Sequence, residues 1–122
     1  MCGIVGKFFF NRSLFHDNDL ESILQSIIHR GPDSEGRYWD GRVLFGFRRL
    51  SIIDTVTGDQ PLYSEDGEII VIANGEIYNY LELRQLLRDK GHRFRTGSDC
   101  EVLVHLYEEF GPGFVEKLNG MF

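Results

Sequence analysis

Asp40-Gly41 stands between two short segments of strand character, about Gly36 to Trp39 and Arg42 to Arg48. An Asp-Gly pair readily takes the positive φ that a tight turn between twisted strands requires, so this stretch predicts an antiparallel hairpin. Gly3 to Phe10 is short, apolar and aromatic and predicts a further strand. Glu68 to Ala73, entered through Asp66-Gly67 and ending at Asn74-Gly75, predicts another, and His92 to Arg95 a short one. Helical spacing appears elsewhere. Leu20, Ile23, Leu24, Ile27 and Ile28 mark a helix over Asp17 to Ile28, with Asp17 or Asn18 to cap it and Gly31-Pro32 to stop the pattern. A second helix runs from about Tyr80 to Lys90, with Asn79 and Glu82 placed for a capping box and Gly91 as the residue after the end. A third spans Asp99 to Phe110, with Val102, Leu103, Leu106, Tyr107 and Phe110 on one face, and a short one follows over Phe114 to Leu118. The final Asn119-Gly120-Met121-Phe122 reads as a turn into an apolar strand that does not arrive. Strands followed by alternating helices and strands define an α+β class, a layered sheet with helices outside.

The 122 residues fit one domain over 1–122. With 42% hydrophobic and 26% charged residues, the chain can bury a core without disulfide or metal support. The net charge of -6 argues against nucleic-acid binding, which requires a basic footprint. The local cluster of Arg88, Lys90, His92, Arg93 and Arg95 reads instead as a solvated helix end, where cations suit the dipole. No apolar run approaches the roughly 20 residues of a membrane span, and no signal segment is visible at the start. A reducing cytoplasm is therefore the expected setting, with Cys2 and Cys100 as free thiols. His16, His29, His92 and His105 show no metal spacing with one another or with the cysteines, so no metal site is expected.

Four features could carry chemistry. Removal of Met1 would leave Cys2 with both a thiol and a free α-amine. Such an amine titrates near ~7.7–8.0 and an ordinary thiol near ~8.5, so a nucleophile with its own built-in base results. Asn74-Gly75-Glu76 offers a side-chain amide and an unobstructed backbone N–H as donors to an oxyanion; Asn-Gly is equally the favoured pair of a type I′ hairpin turn. Arg49 extends the Val43, Phe45, Phe47 stripe, where a guanidinium closing an apolar face seeks a carboxylate partner, although a strand-end Arg can also turn to solvent. Its neighbour Arg48, of opposite parity, is the one expected in water. Asp99 could hold a cation, or it or Ser98 could cap the helix that follows. Cys100 is expected as a packed core thiol. An Arg and an acid can together hold the two ends of a free amino acid. With a thiol and an oxyanion hole added, that amino acid would carry a side-chain amide.

The ordered blocks Met1-Cys2-Gly3-Ile4-Val5-Gly6, His29-Arg30-Gly31-Pro32-Asp33, Arg49-Leu50-Ser51-Ile52-Ile53-Asp54, Gln60-Pro61-Leu62-Tyr63, Asn74-Gly75-Glu76-Ile77-Tyr78-Asn79 and Thr96-Gly97-Ser98-Asp99-Cys100-Glu101 closely resemble the glutaminase domain of glutamine-hydrolysing asparagine synthetases. That resemblance implies an N-terminal nucleophile hydrolase fold, a four-layer αββα sandwich of which the later strands would be missing here. It implies Cys2 as nucleophile, Asn74 and Gly75 as oxyanion hole, Arg49 on the glutamine α-carboxylate, and Asp99 with Glu76 on the α-ammonium. The backbone around Ile52 and Ile53 would line the pocket. The expected partners are glutamine and a synthetase domain or subunit that binds ATP and Mg2+ through a Ser-Gly-Gly-x-Asp-Ser loop, with no nucleic acid, no membrane, and homodimerisation left open. No such loop occurs in these 122 residues, so no cofactor is expected in this chain. The alternative is a non-catalytic glutamine-binding or interaction module.

Overall fold

The computed structural model describes residues 2–10 and 17–122. Its architecture is α+β. The predicted hairpin forms, with β2 (Ser34–Trp39) and β3 (Val43–Arg49) antiparallel. Asp40 closes the turn: its Oδ1 accepts from the N–H groups of Arg42 and Val43, each at 2.7 Å, while Gly41 takes φ +93°. The opening strand β1 (Gly3–Phe8) adds to the other edge of β3, giving the order β1-β3-β2. In register, Val5 and Arg37 flank Gly46.

Helix α1 (Asp17–Ser26) lies against this sheet, where Leu20 and Leu24 form a buried cluster with Leu44 and Ile27 and Phe9 pack beside it. Its apolar face is narrower than its spacing suggests, since Ile23 and Ile28 are exposed. The helix also stops two residues early and passes into a 3-10 turn, Ile28–Arg30, ahead of Gly31-Pro32. The side chains of Asp17 and Asn18, expected to cap α1, lie outside the described residues.

The larger core belongs to the second half. Helix α2 (Tyr80–Asp89) and helix α3 (Val102–Phe110) contribute Leu83, Leu87, Val102, Leu103 and Leu106. Leu62 and Ile77 join them from two short ladders, β4 (Leu62–Tyr63) with β5 (Ile70–Val71), and β6 (Glu76–Ile77) with β7 (Gly120–Met121). Among the described residues no helix is long and apolar enough to cross a membrane.

Several local expectations are corrected by tertiary competition. The Glu68 to Ala73 strand shrinks to Ile70–Val71. Residues 92–95 form no strand: Arg93 N–H goes to Glu65 and Arg95 N–H to Glu101, so carboxylates replace a ladder partner. Asn79 does not cap α2. Its amide instead spans two backbone groups, donating to Lys117 O and accepting from Asn119 N, both at 3.0 Å. That clamp delivers the last residues to β6, so the apolar strand at Gly120–Met121 does arrive, as β7. The short helix expected at Phe114 to Leu118 is a 3-10 segment over Gly111–Lys117. The basic cluster after α2 is tied to acids rather than merely solvated, with Lys90 on Glu109 at 2.7 Å and His92 on Glu109 at 3.1 Å.

Candidate active site

Cys2 directly precedes β1 and is half-buried. Its sulfur faces the Leu50 backbone, which donates N–H at 3.4 Å and presents C=O at 3.7 Å. Arg30 Nε donates to the Cys2 carbonyl at 3.1 Å. Asp33, from the same His-Arg-Gly-Pro-Asp turn, donates its N–H to Arg49 O at 3.0 Å and accepts Ser51 N–H at 2.7 Å. One turn therefore holds both the thiol-bearing residue and the strand end that faces it. The α-amine depends on Met1, which lies outside the described residues.

Arg49 ends β3 and is almost fully buried, at 5% exposure. Three of its five N–H donors are committed: Nη1 to Asp59 at 3.0 Å, and Nη2 to Ile53 O at 3.1 Å and to Asp54 O. The side chain thus fastens the 53–54 turn and turns away from solvent. Arg48 is buried as well, which corrects its expected exposure. β3 is the central strand, and Glu35 sits opposite in register and binds Arg48 Nη1 at 2.8 Å.

Asn74-Gly75 closes no hairpin. β5 pairs with β4 and β6 with β7, so its two flanking segments belong to different ladders, and Gly75 lacks the positive φ of a type I′ turn. A close approach explains this glycine instead: a Cβ there would fall 2.5 Å from Met121 O and 2.6 Å from Phe122 Cβ. The preceding Ala73 is gripped by the Gln60 amide, which donates to Ala73 O at 3.1 Å and accepts Ala73 N–H at 2.7 Å.

Ser98, not Asp99, caps the 3-10 turn that opens the third helical segment, accepting Cys100 N–H at 3.3 Å. The buried Asp99 carboxylate is therefore free to turn inward, where it accepts Ile77 N–H at 2.8 Å. Arg84 of α2 supports this corner by donating to Thr96 O and Ser98 O at 2.8 and 2.7 Å. Cys100 is buried, and burial first, with the neighbouring Asp99 charge second, pushes its thiol up to about 12.

Cys2, Arg49, Ile52, Ile53, Asn74, Gly75, Glu76 and Asp99 all line one pocket. Leu50, Gly58, Gln60, Ala73, Ser98, Cys100 and Met121 complete its wall. The supporting residues Gln60, Asp54 and Arg84 carry no site signal of their own in the sequence. Gln60 and Asp54 stand inside recognisable blocks, but nothing local marks Arg84. The structure also gathers Glu65, His92, His105 and Glu108, whose ligand-type atoms lie within 4.8 Å of one another. Their separation along the chain hides them, apart from the His105-x-x-Glu108 helical spacing.

The whole chain, residues 1–122, matches the family described as glutamine amidotransferase domain, and the chain belongs to that family. Within it the similarity runs to glutamine-hydrolysing asparagine synthetases. The chain is 50% identical over its full length to asparagine synthetase [glutamine-hydrolyzing] 2 of Bacillus subtilis, covering 16% of that protein. It is 46% identical over its full length to the asparagine synthetase of Zea mays, covering 21%, and 56% identical over 77% of its length to asparagine synthetase 1 of Arabidopsis thaliana, covering 16%. The chain thus spans about a fifth or less of the length of these curated relatives.

Proposed function

We propose that this domain hydrolyses glutamine to glutamate and ammonia, with Cys2 as nucleophile. The observation that carries the reading is the convergence of Cys2, Arg49, Asn74, Gly75, Glu76 and Asp99 on one pocket from separate sequence blocks. In this reading, loss of Met1 exposes the α-amine, which takes the thiol proton as sulfur attacks the side-chain amide carbon of glutamine. Asn74 and the Gly75 N–H receive the oxyanion. Collapse expels ammonia, protonated from the same amine, and leaves a thioester that water cleaves to glutamate and free thiol. Arg49 receives the α-carboxylate through donors not already committed, and Asp99 with Glu76 receives the α-ammonium. The fold that accompanies such chemistry is the four-layer αββα sandwich of N-terminal nucleophile hydrolases.

The ammonia is destined for ATP-dependent amidation of aspartate by a synthetase domain. The phosphates of ATP do not fit the residues present, and Mg2+ would enter with them. The Ser-Gly-Gly-x-Asp-Ser loop is absent from the sequence, and the third helical segment opens on Asp99 and Glu101, whose charge repels phosphate.

A diazoketone analogue of glutamine tests the reading. Intact-mass analysis should find a mature chain starting at Cys2 that is labelled once, at Cys2. Cys2→Ala should abolish labelling and turnover yet still bind glutamine. Cys100 should remain unlabelled, because its high proton affinity keeps it a thiol. Absence of labelling in folded protein that begins at Cys2 would refute the nucleophile and leave the non-catalytic binding module standing.

A further inference from the structure

Apart from the residues that line the pocket, His92 and His105 turn their Nδ1 atoms toward the carboxylates of Glu65 and Glu108. His105 Nδ1 lies 3.2 Å from Glu65 Oε2 and 3.0 Å from Glu108 Oε2. His92 Nδ1 lies 3.6 Å from Glu65 Oε1 and 3.5 Å from Glu108 Oε2. The four groups therefore converge on one point rather than pairing off. A tetrahedral zinc site with bonds of about 2.0–2.2 Å has edges of roughly 3.3–3.6 Å; the four His–carboxylate distances are near these through both Glu65 oxygens, while the whole set of ligand-type atoms spans up to 4.8 Å and would draw in around an ion.

The outer partners have the same character. Metal-bound imidazoles commonly donate their second N–H to a carboxylate that fixes the ring. His92 Nε2 faces Glu109 Oε1 at 3.1 Å, and Lys90 holds Glu109 at 2.7 Å. His105 Nε2 points toward Glu101 Oε1, but at 3.8 Å it is beyond hydrogen-bond reach. Glu101 is itself anchored by the N–H groups of Arg95 and Thr96, at 2.6 and 2.8 Å. The His105 ring is 1% exposed, and its Nε2 makes no hydrogen bond. Glu65 and Glu108 are partly exposed, so an ion has a path in.

We propose that Glu65, His92, His105 and Glu108 form a site for a divalent cation of the zinc class. Two imidazoles with two carboxylates favour zinc, cobalt or nickel over magnesium or calcium. The site would tie three segments together: the loop between β4 and β5, the strandless stretch 92–95, and α3. That stretch leads directly to Ser98 and Asp99, so the ion would brace the acidic corner of the pocket without touching it.

Co2+ is the probe. Added to the full chain, it should bind in a one-to-one ratio and develop the visible absorption of a tetrahedral ion without a thiolate charge-transfer band, be displaced by Zn2+, and raise the Tm. His92→Gln and Glu108→Gln, both at partly exposed positions, should each weaken binding at least ~10-fold, the low end of the cost of losing even an outer-shell partner, and remove the Tm rise. Three results would overturn the proposal: no absorption at millimolar Co2+, unchanged affinity in both folded variants, or a thiolate band that places the ion on Cys2.

Discussion

The Gln60 side chain and the Ala73 backbone form a reciprocal amide pair, with Nε2 on Ala73 O at 3.1 Å and Ala73 N on Oε1 at 2.7 Å. The pair stands in for the ladder that β5 does not continue, and it sets where Asn74 emerges. Gln60 is 8% exposed, so Leu at this position would fit the burial but leave both Ala73 groups without their partner. Gln60→Leu should lower stability by about 1–3 kcal/mol, read by urea denaturation, and slow Cys2 labelling more than glutamine binding. Unchanged stability would mean that Ala73 is held by something else.

Arg49 supports the pocket and faces it. Lys at this position cannot reproduce donors to Asp59, Ile53 O and Asp54 O together, because an ammonium is a point charge rather than a planar fork. Arg49→Lys should weaken glutamine binding by on the order of 2 kcal/mol, roughly thirtyfold, with a fall in Tm from the loosened turn. Calorimetric titration of the Cys2→Ala background measures the affinity. A folded variant that binds glutamine as tightly as its parent would remove Arg49 from the site.

Asp54 makes a pH-dependent contribution of definite sign. It sits at φ +50° and accepts hydrogen bonds from Thr57 N at 2.9 Å, Thr57 Oγ1 at 2.5 Å and Gly97 N at 2.7 Å. Burial raises its pKa, but these bonds outweigh burial and bring it from 3.8 down to about 2. A depressed carboxylate pKa gives stability that is complete above the unfolded value and lost as pH falls through the folded one. Asn tolerates the left-handed backbone, so Asp54→Asn keeps the turn while removing the charge and the Oδ2 acceptor of Thr57 and Gly97. The variant should be less stable than wild type at neutral pH, and the gap should close between about pH 4 and pH 2. A gap that persists unchanged at the acid end would show that shape rather than charge holds the 54–57 turn.

Legibility from sequence followed the range of the interaction. The Asp40-Gly41 hairpin and the stop after α2 rest on neighbouring residues and appear where alternation and turn chemistry place them; α1 forms as its spacing predicts, on a narrower stripe. Reading fails where a distant group outbids a local one. Asn79 looks like a cap until Lys117 and Asn119 claim its amide, and residues 92–95 look like a strand until Glu65 and Glu101 take their N–H groups. Asn74-Gly75 and Ser98-Asp99 were each open to two local interpretations. The partners of β5 and β6 exclude the hairpin turn, and Ser98 rather than Asp99 proves to be the cap.

By itself, the sequence determined the class of chain and, through six ordered blocks, its family, and that resemblance named the residues that line one pocket. Only the tertiary structure decided which groups hold those residues in place. Gln60 grips Ala73 across thirteen positions, Arg84 reaches Ser98 across fourteen, and His92 and His105 meet Glu65 from separate segments. A side-chain hydrogen bond or ion pair depends on distance in space, and spacing along the chain carries that information only within a helix turn, a hairpin or a cap.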